Sequence, residues 1–103
     1  MDRIEKLKEF LLETPKDNFV RHALAMEYLK IGKIDEAQKL LEQLLSDSPD
    51  YVGSYYQLGK IFEQKGDTQS AIRQYEEGML FARKAANNHA YNELQSARDE
   101  LLY

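Results

Sequence analysis

The residues that could perform acid–base or metal chemistry are few in this chain of 103 residues. His22 and His89 are the only histidines, and neither lies in a spacing such as HExxH, which places two metal ligands on one helical face. The chain has no cysteine, which excludes a thiolate nucleophile, a thiolate metal site and a disulfide. We therefore expect no metal site.

Neighbouring carboxylates are the other candidates for catalysis. Glu76 and Glu77 are adjacent, as are Asp99 and Glu100, but adjacent residues on a helix point about 100° apart and do not converge on one substrate. The five glycines have neither the phosphate-loop spacing nor the dinucleotide-binding spacing. The sequence predicts no catalytic residue and no cofactor, and we expect that the protein is not an enzyme.

The charge of the chain also limits its partners. Fourteen Lys and Arg against eighteen Asp and Glu give a net charge of -4, and the basic residues are spread along the chain, which disfavours nucleic acid and anionic membranes. The first residues, MDRIEKLKEFLLE, lack the apolar core of a signal peptide, and no stretch resembles a membrane span. We expect a cytoplasmic location.

The elements that carry these residues form an internal repeat. IGKIDEAQKLL, from Ile31, is echoed by KGDTQSAIRQY, from Lys65, and the correspondence extends beyond both phrases. We call the separation in sequence between Pro15 and Pro49 the repeat length. The other pairs with this separation are Leu24 and Leu58, Tyr28 and Phe62, Gly32 and Gly66, Ala37 and Ala71, and Leu41 and Tyr75. Because the proline pair begins earlier, the N-terminal segment corresponds to the back half of a repeat.

Within each repeat the apolar residues recur every three or four positions, which predicts helices. Gly32 and Gly66 lie between two such runs, where a turn needs positive φ. Asp17 and Asp50 are the predicted N-caps of the first helices, and Leu24 and Leu58 are predicted to be buried. Helices are expected near residues 3–13, 18–31, 34–46, 51–65, 68–84 and 88–102.

The segments YYQLGKIF and KGDTQSA, followed by Tyr75, resemble the tetratricopeptide repeat family. The resemblance covers residues 18–85 and implies an all-α fold, a right-handed α-solenoid of antiparallel helix pairs with about six helices. It divides one domain, residues 1–103, into a half repeat (1–17), two repeats (18–51 and 52–85) and a C-terminal capping helix (86–103).

The resemblance also implies a function, because the family binds extended peptides or partner helices in a groove formed by its first helices. The groove residues implied here are Phe19, His22, Met26, Leu29, Tyr56, Lys60, Glu63, Tyr91 and Leu94. One hypothesis is a monomeric adaptor that binds an apolar peptide with some acidic character. The alternative is an assembly module that acts through self-association or as a subunit of a larger complex. A swapped dimer would form if the last helix continued the one before it.

Overall fold

The computed structural model describes residues 2–103, and this part of the chain contains six α-helices and no strand. The helices are α1 (Arg3–Glu13), α2 (Asn18–Lys30), α3 (Ile34–Asp47), α4 (Gly53–Gln64), α5 (Thr68–Lys84) and α6 (Asn88–Leu102). Their ends lie within two residues of the predicted ones. The prediction of an all-α helical-repeat fold is confirmed.

Side chains cap most of the helices at their N-termini. The carboxylate of Asp17 accepts a hydrogen bond from the backbone N–H of Val20, as predicted, and Asp67 and Asn87 cap α5 and α6 in the same way. The prediction that Asp50 caps α4 is wrong. Val52 occupies that position without a side-chain bond, because the N–H groups of Ser54 and Tyr55 donate to the carbonyls of Tyr51 and Val52 in a tight turn.

The turns that end α2, α4 and α5 share a left-handed residue. Gly32 and Gly66 both have φ of +79°, as their positions between helices predicted. At the turn between α5 and α6 the corresponding conformation is adopted by Ala86, with φ of +55°. Because an alanine in this region carries a steric cost, this turn is the strained one of the three.

The chain forms two compact units that divide between Ser48 and Pro49. In the first unit α2 packs against both α1 and α3, and in the second unit α5 packs against both α4 and α6. Helix α5 ends at Lys84, and α6 folds back against it rather than continuing it. The repeat boundaries given above stay a prediction.

The core of the first unit is aliphatic except at one position. Leu24, Leu41 and Leu44 are buried, and so is the charged side chain of Arg21. The Arg21 guanidinium donates to Asp47 Oδ2 at 2.8 Å and to the Asn18 side-chain oxygen at 2.8 Å. The hydrogen bond from Arg21 lowers the pKa of the Asp47 carboxyl. The buried charge is thus paired, as buried charges must be.

The core of the second unit is aromatic at the same position of the repeat. Tyr55 and Phe81, each one repeat length after Arg21 and Asp47, stack with ring centroids 6.0 Å apart. The Tyr55 hydroxyl donates to the Pro49 carbonyl at 2.6 Å, and burial raises the pKa of Tyr55 to about 12. The same place in the repeat is therefore filled by an ion pair in one unit and by stacked rings in the other.

Two glycines let the helices of the second unit approach closely. A Cβ atom at Gly59 would overlap Cε1 of Tyr75 and lie 2.6 Å from its Cζ. One at Gly78 would lie 2.7 Å from Cβ of Tyr55 and 2.9 Å from Cδ1 of Leu94. Since real Cβ contacts are much longer, Gly59 fixes the approach of α4 to α5, and Gly78 fixes the approach of α5 to α4 and α6.

Candidate functional site

The nine predicted groove residues lie on three helices, and each unit carries its own group. Those on α2, in the first unit, are Phe19, His22, Met26 and Leu29. Those in the second unit are Tyr56, Lys60 and Glu63 on α4 and Tyr91 and Leu94 on α6.

The α4 group is brought together at the surface by helical spacing. Tyr56, Lys60 and Glu63 stand at i, i+4 and i+7, so they share one face of the helix. Nζ of Lys60 lies 5.3 Å from the centroid of the Tyr56 ring and 3.5 Å from Oε2 of Glu63. All three side chains are part-exposed. We call Tyr56, Lys60 and Glu63 the α4 surface.

A buried tyrosine supports the α4 surface from behind. The Tyr75 ring is fully buried, and its hydroxyl donates a hydrogen bond to Oε2 of Glu63, the same atom that faces Lys60. Its ring centroid lies 6.2 Å from that of Tyr56, tilted by 44°. Burial raises the pKa of Tyr75, and the bond to the Glu63 carboxylate raises it further, so the phenol stays a donor. The support restrains both ends of the surface.

The α2 group is an apolar strip with one titratable residue. Phe19 is 72% exposed, whereas His22, Met26 and Leu29 are half-buried. Burial lowers the pKa of His22, which favours the neutral imidazole in the folded protein. This strip offers apolar contact area and no permanent charge.

The two predicted residues of α6 have different surroundings. Tyr91 is half-buried and its hydroxyl accepts a 2.6 Å hydrogen bond from Arg83. Leu94 is 1% exposed and packs near Gly78, so it belongs to the core of the second unit and is not available to a partner. The groove role expected for Leu94 does not agree with its burial.

The register of α6 explains this difference. Leu58 and Ile61 of α4 are buried, and the corresponding buried residues of α6 are Leu94 and Ala97, each two positions beyond one repeat length. The residues of α6 that correspond to the α4 surface are then Asn92, Ser96 and Asp99. Asn92 and Ser96 are exposed. Sequence reasoning missed them, although the three-residue spacing from Leu94 to Ala97 repeats that from Leu58 to Ile61.

The described residues contain neither a metal cluster nor a membrane-spanning helix. No group of three His, Asp or Glu side chains that could hold a metal ion occurs in residues 2–103. Within the same residues no helix is long and apolar enough to cross a membrane. What the α4 surface offers is an aromatic face, an ammonium group and a carboxylate in fixed order.

A family comparison agrees with the repeat geometry. The model of the tetratricopeptide repeat family matches residues 22–89, which include both turn glycines and all of α4 and α5. The chain belongs to the tetratricopeptide repeat family. Members of this family generally act as protein–protein interaction modules and are generally not catalytic.

Tetratricopeptide repeat proteins of several organisms resemble the chain. A solution structure of a tetratricopeptide repeat domain protein from Salinibacter ruber is 41% identical, with a TM-score of 0.81, over 84% of this chain and 88% of that one. A TPR repeat-containing protein of Pseudomonas aeruginosa is 26% identical over 88% of this chain and 87% of its own length. The TPR2B domain of yeast Sti1, solved in a complex with pHsp70, has the same fold at 14% identity, with a TM-score of 0.87 over 95% of this chain and 78% of that one.

Proposed function

We propose that the protein is a non-catalytic interaction module that binds an apolar peptide segment, or a partner helix, carrying at least one acidic side chain. The observation that carries this proposal is the α4 surface, in which Tyr56 and Lys60 lie side by side and the buried Tyr75 supports both the ring and Glu63. Such preorganisation lowers the entropy lost when a ligand binds.

Tyr56 is the proposed apolar anchor. Its side chain is half-buried, with the ring tilted against Tyr75 and the Lys60 ammonium over it, so part of the ring stays accessible to a partner. Tyrosine has few rotatable bonds and combines an apolar ring with a polar end, and it is enriched where binding energy is concentrated. A partner side chain that covers this ring would gain apolar contact without moving the helix.

Lys60 supplies the proposed preference for acidic residues. Its ammonium is 3.5 Å from Glu63 and 5.3 Å from the Tyr56 ring centroid, and its side chain is 39% exposed. Because the Tyr75 hydroxyl also bonds to Glu63, the carboxylate stays satisfied when Lys60 turns towards a ligand. A ligand carboxylate can therefore bind the Lys60 ammonium without leaving the Glu63 carboxylate unpaired.

Other surfaces offer further contacts. On α6 the exposed side chains of Asn92 and Ser96, at the positions of Tyr56 and Lys60 in the repeat, can bind the backbone of an extended peptide through an amide and a hydroxyl. The α2 strip supplies apolar contact in the first unit. The Sti1 domain, which was solved in a complex with pHsp70, supports peptide binding as a use of this fold.

Selection of short random peptides displayed on phage tests the proposal. The immobilised protein should enrich peptides that combine aliphatic or aromatic residues with Asp or Glu. With a selected peptide, Tyr56→Ala should weaken binding by about 1–3 kcal/mol, as loss of an interface anchor does. Lys60→Glu should weaken the binding of acidic peptides. It should leave unchanged the binding of the same peptides with Asp→Asn and Glu→Gln substitutions.

A matched control is Gln69→Ala, an exposed substitution on α5 outside the α4 surface, which should leave affinity unchanged. Thermal melting of each variant shows that it is folded. Enrichment of no common sequence, or equal affinity of the Tyr56→Ala and Gln69→Ala variants for a selected peptide, would overturn the proposal.

A further inference from the structure

A second surface of the second unit, different in chemistry from the α4 surface, lies between α5 and α6. It is a cavity of about 190 Å³ lined by Glu76, Met79, Leu80, Arg83, Tyr91 and Arg98. Leu80 is 54% exposed. The Arg83 guanidinium carbon lies 4.9 Å from the centroid of the Tyr91 ring, while Arg98 lies 3.5 Å from Glu76 and 3.1 Å from Asp99. We call the six lining residues the α6 face.

The α6 face corresponds to the surface of α4 that the next helix, α5, covers. Tyr91 follows Tyr55 by the same offset by which Leu94 follows Leu58. The Tyr55 ring is covered by Phe81 of the helix that follows it. Tyr91 is instead half-buried. Its hydroxyl is bonded by Arg83, which stands one repeat length after the proline whose carbonyl bonds to Tyr55.

Helix α1 corresponds to the second helix of a repeat, and one of its apolar residues is not covered by a first helix. Pro15 and Pro49 align α1 with α3, so Phe10 corresponds to Leu44 and Glu13 corresponds to Asp47. Leu44 is 0% exposed, whereas Phe10 is 60% exposed. Phe10 is thus a core position of the repeat that the described part of the chain does not cover.

The charges of the two faces are complementary. Around Phe10 stand Glu9, Glu13 and Lys6, which give an excess of negative charge. On the α6 face Arg98 is already paired with Glu76 and Asp99, so the available positive charge is that of Arg83, which no carboxylate engages in the ion pairs of the described residues. Opposite charges around apolar centres both attract and orient two surfaces.

We propose that α1 of one copy packs on the α6 face of a second copy and completes a helix pair there. By repeat equivalence Glu13 takes the place that Asp47 and Phe81 have in the two units, next to Tyr91 and within reach of Arg83. Phe10 takes the place of Leu44 and covers the apolar part of the face beside Leu80. This assembly uses neither Tyr56 nor Lys60, so it stands or fails apart from the proposed function.

The contact is head-to-tail, because the two faces are different surfaces of the chain. An open chain of copies leaves one α1 and one α6 face free at its ends, whereas a ring leaves none, so in both cases the mean mass should rise with concentration above that of the monomer. The association should weaken as salt is added, since it depends on exposed opposite charges.

Sedimentation velocity over a concentration series, with charge-reversal variants of the full chain, tests the proposal. Glu13→Arg and Arg83→Glu should each reduce the association constant about tenfold or more, because like charges then face each other. A mixture of the two single variants, and the double variant in one chain, should both recover association, because each restores an opposite pair. Phe10→Ala should also weaken association.

Glu42→Arg, a charge reversal at an exposed position of α3, is the matched control and should leave association unchanged. Thermal melting checks that every variant is folded. A wild-type chain that stays monomeric over the series, or single variants that associate like Glu42→Arg, would each overturn the proposal. So would a double variant that stays as weak as the single ones.

Discussion

Gly59→Ala tests how closely α4 and α5 fit behind the α4 surface. On helix propensity alone the substitution should stabilise the protein by about 1 kcal/mol. A Cβ atom at this position would however overlap Cε1 and lie 2.6 Å from Cζ of Tyr75, a fully buried ring. The ring cannot rotate away freely, because its hydroxyl is bonded to Glu63. The steric cost should therefore exceed the gain in propensity.

The expected size of the effect follows from these terms. Overpacking of a buried site costs about 1–3 kcal/mol, and a displaced hydroxyl loses a hydrogen bond to a carboxylate worth about 1.5–3 kcal/mol. After the propensity gain of about 1 kcal/mol is subtracted from these two costs, we expect the free energy of unfolding to fall by about 1.5–5 kcal/mol. Urea denaturation followed by far-ultraviolet circular dichroism measures this loss.

The first repeat supplies the compensating change. Ala25 and Leu41, both fully buried, stand one repeat length before Gly59 and Tyr75, so a larger residue on one helix is matched by a smaller one on the other. The double variant Gly59→Ala, Tyr75→Leu should lose about 1–2 kcal/mol less than the sum of the two single variants.

Gly53→Ala is the control on the same helix, because a Cβ atom there would meet nothing within 4 Å. The reasoning is refuted if Gly59→Ala is as stable as Gly53→Ala, or if the losses of the two single variants simply add.

Further variants test other parts of the fold, all by urea denaturation. Ala86→Gly should raise the free energy of unfolding by about 0.5–1 kcal/mol, because relief of the left-handed conformation outweighs the added entropy of the unfolded chain. Gly66→Ala should lower the free energy of unfolding. Equal stability of both variants and the wild type would contradict the strain at Ala86. Leu24→Ala and Leu58→Ala, both in buried positions, should each cost roughly 2–5 kcal/mol, and a loss below about half a kcal/mol at both would contradict the repeat register. Because burial lowers the pKa of His22 below 6.5, the folded protein binds fewer protons than the unfolded chain, so stability should be complete above pH 6.5 and fall as the pH decreases below it. His22→Gln should reduce this slope, and an unchanged slope would count against the burial of the imidazole.

The helical pairs could be predicted from sequence because they depend on local signals. Gly32 and Gly66 mark turns that need positive φ, and Leu24 and Leu58 keep the same repeat length as the two glycines. The contact between Tyr56 and Lys60 also follows from helical spacing alone. These features require no knowledge of how one helix packs on another.

The features that were missed depend on packing between helices. Helix α5 has 17 residues where α3 has 14, and the buried residues of α6 are shifted by two positions from the repeat length, which buries Leu94 and exposes Asn92. Arg21 could not be predicted as a buried residue, because its partner Asp47 lies on another helix. The support that Tyr75 gives to the α4 surface could not be predicted, since its bond to Glu63 joins α4 to α5.

Nuclear magnetic resonance is the most direct test of peptide binding at the α4 surface. A peptide chosen by the phage selection would be titrated into nitrogen-labelled protein while backbone amide shifts are followed. The largest shifts should occur at Tyr56, Lys60 and neighbouring residues of α4, with smaller ones at Asn92 on α6, and they should be clearly reduced at the same peptide concentration in the Tyr56→Ala variant. Shifts confined to α1 and the α6 face, or shifts that persist unchanged in that variant, would contradict the proposed site.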